Sequence, residues 1–150
     1  MIHLLRATTL FIFSAVAGLS QAACVFDLEV GDNLKFNLTE INVSKQCESV
    51  TINLAHSGQL QANVMGHNWV LTKAADLEGV ANDGMAAGLD ADYVPLNDTR
   101  VLAASSVIGG GETTSITFPA SDFDSSEQYA FFCSFPGHSY GMRGDFIVSP

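Results

Sequence analysis

The chain reads as an all-β domain, an antiparallel sandwich or barrel with one short helical insertion. Three observations predict this class. Apolar residues recur at every second position in short segments, the signature of half-buried strands. Clusters of Gly, Asn, Asp and Ser separate those segments at close intervals, as in antiparallel all-β architectures. One stretch alone is rich in Ala, Leu, Glu and Met. With 150 residues the chain forms one domain with material for a core.

The elements follow in order. Alternation predicts strands at 25–30, 34–38 and 50–54, and a further strand at 67–71. Residues 76–88 form the helical insertion, although Gly79 and Gly84 interrupt it. Strands at 100–104, 115–118, 129–133 and 145–148 complete a set of about eight. Gly109-Gly110-Gly111 marks a turn between two of them.

The first 22 residues stand outside this pattern. Arg6 precedes an apolar stretch at 10–19, and Ser20 and Ala22 are the small residues of a cleavage site. A bilayer span needs about 20 apolar residues, so an anchoring helix fits less well. Lipid attachment at Cys24 is a third reading, which Gln21 fits badly because an aliphatic residue normally stands there. Residues 1–22 are therefore expected to be a signal peptide, leaving an exported mature domain of 23–150, with no membrane insertion once the signal is cleaved.

Export implies an oxidising compartment. Of the three cysteines, Cys133 belongs to a metal-binding pattern described below, and Cys24 and Cys47 are expected to form a disulfide. Losing residues 1–22 removes Arg6 and no acid, so the formal charge moves from −10 to −11. That charge excludes nucleic acid and anionic membrane surfaces as partners. The acids are scattered, which suits general solubility.

The chemistry concentrates in Cys133-Ser-Phe-Pro-Gly-His138-Ser-Tyr-Gly-Met142. A thiolate, an imidazole and a thioether share one short loop. Sulfur donors favour copper(I), and imidazole suits both copper states. A second imidazole is available at His67, within Met65-Gly66-His67-Asn68-Trp69. Two His, one Cys and a distant Met form the donor set of a blue-copper site. If 129–133 is a strand, Phe131 and Cys133 share a face, and the sulfur points toward one end of the sandwich. Gly66 lets the main chain approach closely, which admits its carbonyl as a weak axial oxygen or simply a turn. Asn68 is placed to hold the loop near the sulfur by hydrogen bonds. His56 is read as a structural or titrating histidine. His3 departs with the signal. No carboxylate pair and no Ser/His/Asp arrangement suggests acid–base or nucleophilic catalysis. A copper enzyme with a second metal site needs more imidazoles than His56 alone supplies. The chain is thus expected not to be an enzyme.

At this point the sequence resembles the azurin family of bacterial blue-copper proteins, within the cupredoxins. The likeness covers nearly all of the mature chain. It runs through Cys24 and Cys47, Asn63-Val-Met-Gly-His-Asn-Trp-Val-Leu71, Ala74-Ala-Asp76, Asp83-Gly-Met85, Gly88-Leu-Asp90 and Phe131-Phe-Cys-Ser-Phe-Pro-Gly-His-Ser139. The loop spacing Cys-x4-His-x3-Met is similar to azurins, whereas plastocyanins and pseudoazurins have Cys-x2-His-x4-Met.

The resemblance implies an eight-stranded Greek-key β-sandwich with one helical insertion. It implies one copper, cycling between Cu(I) and Cu(II), held in a plane by His67, Cys133 and His138. Met142 and the Gly66 carbonyl would be weak axial partners. Main-chain N–H groups of Asn68 and Phe135 would donate to the Cys133 sulfur. His138 would lie nearest the surface, ringed by an apolar docking patch of Leu60, Val64, Met65, Met85, Phe135 and Pro136. Two departures stand out: Tyr140-Gly141 replaces a small residue followed by leucine, and Ala104 replaces a surface histidine. Tyr140 extends the expected patch.

The resulting expectation is a soluble, monomeric periplasmic carrier of single electrons. Its partners would be periplasmic redox proteins such as c-type cytochromes or a copper or haem reductase. The alternative is a copper storage or delivery protein, which would favour exposed, exchangeable Met- and His-rich sites; this chain has four Met in all. Zinc would also suit the donors.

Overall fold

Alternating apolar residues give each strand one face to bury, and two sheets provide for that by closing on each other. The structure, a computed structural model, describes residues 23–150. The expected signal segment at 1–22 lies outside the described residues. One sheet contains β1 (Cys24–Val30), β3 (Ser49–His56) and β6 (Thr113–Pro119), in the order β1-β3-β6. The other contains β2 (Glu40–Ser44), β4 (Val70–Lys73), β5 (Ala103–Ala104), β7 (Tyr129–Phe132) and β8 (Arg143–Ser149), in the order β2-β8-β7-β4-β5.

The all-β sandwich and its single substantial helix agree with the expectation. The purely antiparallel arrangement does not. β1 pairs parallel with β3, and β2 pairs parallel with β8. A parallel pair needs a crossover between its strands. β2 supplies the one between β1 and β3 by lying in the opposite sheet. Alternation reports which residues face inward, not which strand lies alongside.

The expected strand at 34–38 is a loop, and β2 lies just beyond it, where no strand was expected. Leu34 has a positive φ of 55°, which ends any extended run. Phe36 still buries its ring, edge-on to Phe131 at 5.5 Å, so the apolar spacing reflects core plugging from a loop. Residues 100–104 yield only the two-residue β5, because the main-chain N–H and the guanidinium of Arg100 are both held by the Asp98 carboxylate in the preceding turn.

The inward residues Leu28, Ile41, Ile52, Leu54, Phe131 and Phe146 surround Trp69 between the sheets. The Trp69 ring stacks on Phe131 at 5.7 Å and Phe118 at 6.0 Å. β7 is buried on both faces. Tyr129 and Phe131 enter the main core, while Ala130 and Phe132 pack beneath the helix α2 (Leu77–Ala87) with Leu77 and Val80. A strand covered on both sides reads as a continuous apolar run, which explains Tyr-Ala-Phe-Phe. Gly84 is tolerated within α2 because a Cβ there would fall 2.1 Å from the Tyr93 carbonyl oxygen. The glycine permits the helix to sit against that loop.

Candidate metal centre

The site assembles at the end of the sandwich where β1, β4 and β7 give way to loops. Cys133 directly follows β7 and shares the inward face of Phe131, as period two requires. Its sulfur is fully buried. The loop that follows is closed on itself. Cys133 N–H donates to the Met142 carbonyl at 3.0 Å, and Met142 N–H donates to the His138 carbonyl at 2.8 Å. His138 N–H donates to the Phe135 carbonyl at 3.0 Å. His138 and Met142 are thereby fixed relative to Cys133.

His67 is not in a strand as expected. β4 starts at Val70, and His67 forms a single bridge with Ile108 through two main-chain bonds of 3.0 and 2.9 Å. It follows the four-residue helix α1 (Ala62–Met65) and the extended Gly66. A Cβ on Gly66 would lie 2.2 Å from the Ala62 carbonyl oxygen and 2.6 Å from Val107 Cγ1, so only glycine fits there. The His67 Nε2 atom lies 2.9 Å from the Gly31 carbonyl oxygen. A carbonyl only accepts, so Nε2 carries the proton and Nδ1 presents a bare lone pair.

That lone pair faces the other two donors. His67 Nδ1 lies 3.2 Å from His138 Nδ1 and 3.8 Å from Cys133 Sγ, while Sγ lies 3.6 Å from His138 Nδ1. A point equidistant from the corners of a triangle with sides 3.2, 3.6 and 3.8 Å is about 2 Å from each corner. Metal–imidazole and metal–thiolate bonds have lengths near this value, about 2.0–2.3 Å for zinc. Among the described residues these three form the cluster of His, Cys and acidic side chains able to hold an ion. The donors thus fit a metal of the copper or zinc kind, and one thiolate with two imidazoles suits copper in both oxidation states.

The electrostatics follow from burial. Burial pushes the Cys133 thiol up to about 12, and main-chain N–H groups of Asn68 and Phe135, aimed at the sulfur, partly offset this. Burial holds the His138 imidazole down to about 4, with the neighbouring His67 adding to the effect. Burial also lowers His67, opposed by its bond to Gly31. Without a metal at pH 7, the thiol is therefore protonated and both imidazoles are neutral.

The surroundings tie the two donor segments together. Asn68 Nδ2 donates to Ser134 Oγ and to the Asp92 carbonyl, both at 2.8 Å, and Ser134 N–H donates to Asn68 Oδ1 at 2.9 Å. Asp92 Oδ1 in turn accepts from Val107 N–H at 2.7 Å. Met142 is wholly buried in the main core. His56 stands apart from the donor triangle. Its Nε2 donates to the Met65 carbonyl and its Nδ1 accepts from Gly58 N–H, both at 3.0 Å.

His138 is itself 7% exposed, and its ring lies 4.5 Å from that of Phe135. Leu60, Val64, Met85 and Tyr140 are exposed, Tyr140 to 78%. Met85, Phe135 and Tyr140 line one small cleft, together with Glu78 and Ser139. Pro136 is exposed, whereas Met65 is only half-exposed. Sequence reasoning missed Gly31, Ser134, Asp92 and Leu34. Leu34 is 40% exposed, and its carbonyl oxygen lies 3.8 Å from where a Cβ on Gly141 would sit. Ser134, beside Cys133, was the one with a signal in the chain. Gly31 acts through a main-chain atom, which no residue type announces.

Comparison with known proteins agrees with this geometry. The family model described as copper binding proteins, plastocyanin/azurin family, matches residues 22–149. Azurin-1 of Alcaligenes xylosoxydans xylosoxydans is 56% identical over 123 residues, covering 82% of this chain and 95% of that protein. The azurin of Pseudomonas aeruginosa strain PAO1 is 52% identical over 128 residues, covering 85% and 86%. Among solved structures, the azurin Az-iso2 of Methylomonas sp. strain J superposes with a TM-score of 0.82 at 40% identity, covering 85% of this chain and 98% of that one.

Proposed function

Because the chain belongs to the plastocyanin/azurin family of copper-binding proteins, we propose that its donor triangle works as the redox centre of a periplasmic carrier serving haem or copper partners. The protein is a blue-copper electron carrier. The observation that carries this is the convergence of His67 Nδ1, His138 Nδ1 and Cys133 Sγ within one buried triangle. When bound there, copper supplies a one-electron couple whose colour arises from the thiolate.

The chain's own residues supply rigidity. The Gly31 carbonyl fixes the His67 ring, Asn68 locks the two donor segments together, and main-chain bonds close the loop from Cys133 to Met142. Donors held this way move little between oxidation states, so little reorganisation opposes transfer. Met142 and the Gly66 carbonyl would be further, weaker partners for the copper; their support is the burial of the first and the enforced glycine at the second. N–H donors on the thiolate and the apolar core around it tune its potential.

Electrons pass through His138 and the apolar patch of Leu60, Val64, Met65, Met85, Phe135, Pro136 and Tyr140. The exposure of several of these large apolar side chains beside the most accessible donor supports this. A c-type cytochrome, or a copper or haem reductase, docks there, and the carrier works as a monomer. Residues 1–22 direct export and are then removed. Among the described residues no helix is long and apolar enough to cross a membrane. The carrier performs no further catalysis, since both ring nitrogens of the remaining described histidine, His56, are engaged by the main chain. Storage or delivery is disfavoured by burial of the donors, because exchange requires access.

Cys133→Ser tests the site. The variant should take up copper without the intense visible band, and a band of unchanged intensity would remove Cys133 from the centre.

A further inference from the structure

Arg143 lies just beyond the donor loop, yet its side chain turns back onto it. It opens β8, opposite Phe132 of β7. Its Nε donates to the Ser139 carbonyl at 2.6 Å, and its Nη2 donates to Glu78 Oε1 at 2.9 Å. Ser139 sits between His138 and Met142 and is 8% exposed. Glu78 lies in the first turn of α2, next to Leu77, whose side chain is buried beneath the helix. One guanidinium thus joins the stretch between two donor residues to a helix anchored in the core.

We propose that Arg143 is a positioning residue for the metal loop, clamping the Ser139 carbonyl so that His138 and Met142 keep their separation. The main-chain bonds of the loop use the carbonyls of Phe135, His138 and Met142, but not that of Ser139. A nearly buried carbonyl without a partner is unfavourable, and a bond from a charged donor is among the stronger kinds. The Glu78 contact is an exposed ion pair, a weak interaction by itself. Its role is to hold the guanidinium plane so that Nε faces the loop. The three donors of lysine share one nitrogen, so it cannot reproduce the fork that reaches both partners. The assignment rests on the copper reading above, and it concerns only how the loop is held.

The test compares Arg143→Gln, Arg143→Lys and Glu78→Gln with the unaltered protein. Arg100→Gln is the control, because it breaks another contact to α2, at Asp83, without touching the donor loop. Amide hydrogen exchange is followed in the metal-free proteins at Gly141 and Met142, whose N–H groups both bond the His138 carbonyl. Release of copper(II) to a chelator is followed in the loaded proteins. Arg143→Gln should speed both by about tenfold, a change equivalent to ~1.4 kcal/mol. Arg143→Lys should recover part of the loss, Glu78→Gln should have the smallest effect, and Arg100→Gln should leave both rates unchanged. Unchanged exchange and release in Arg143→Gln would overturn the assignment, as would an equal effect of Arg100→Gln. An unaltered protein that takes up no copper would overturn the copper reading instead, a failure visible before any variant is compared.

Discussion

His67 Nδ1 and His138 Nδ1 face each other at 3.2 Å, with the proton of the His67 ring committed to the Gly31 carbonyl on its far side. Two bare or nearly bare lone pairs beside a buried thiol form a site prepared for a cation. The balance of protons follows. At pH 7 the His138 imidazole, held down to about 4, is already neutral, and His67 is lowered as well. The Cys133 thiol, pushed up to about 12, is still protonated. Copper(II) uptake by the metal-free protein should therefore release about one proton, from Cys133. Calorimetry in buffers of different ionisation enthalpy measures that number. A value near zero would mean a preformed thiolate, and a value near three would mean charged imidazoles.

Acid should destabilise the metal-free protein through the same pair of histidines. Their folded values lie below the ordinary value of 6.5, so the unfolded chain takes up protons first as pH falls. The stability is fully present above about 6.5 and is lost as pH falls toward 4. Thermal unfolding of the metal-free protein should show Tm falling across that window. His138→Gln should flatten the dependence without abolishing it, because His67 continues to contribute.

The disulfide joins Cys24 at the start of β1 to Cys47 in the turn before β3, with Cα atoms 5.7 Å apart. Thiol counting on the unfolded protein without reductant should find Cys133 alone. Cys47→Ser should lower stability by about 3 kcal/mol, from the loop closed in the unfolded chain. A denaturant titration showing no loss would set that contribution aside.

The electron port is best probed at Val64, which is 57% exposed, rather than at the half-exposed Met65. Val64→Lys should place like charges opposite each other when two copies meet, and slow electron self-exchange by about tenfold. The visible spectrum should not change. Val25 is also exposed but lies near the start of β1, whereas the Gly31 that orients His67 follows the end of that strand. Val25→Lys should leave the rate alone. The reverse order of effects would place the port elsewhere.

Much of the site was legible because its donors are adjacent in the chain. The spacing from Cys133 through His138 to Met142 carries chemistry that ordinary packing does not need. The matching alternation of Phe131 and Cys133 is enough by itself to turn the sulfur inward. The helix at 77–87 was legible from composition despite Gly84, whose reason is a neighbour, the Tyr93 carbonyl, far from it in the chain's local pattern. The strand at 34–38 was misread because Phe36 enters the core from a loop, and alternation cannot distinguish the two. The parallel pairings and the contacts from Gly31 and Asp92 depend on which segments meet. Main-chain atoms acting at such distances leave no mark in residue type.

The central claim is that one copper held by His67, Cys133 and His138 passes single electrons. The direct measurement is a reductive titration of the copper-loaded protein followed in the visible, then stopped-flow mixing with a reduced c-type cytochrome. The account predicts loss of the blue band with one electron per copper, full return on reoxidation, and rapid bleaching by the cytochrome. A band that needs more than one electron, fails to return, or bleaches only with loss of the metal would contradict it.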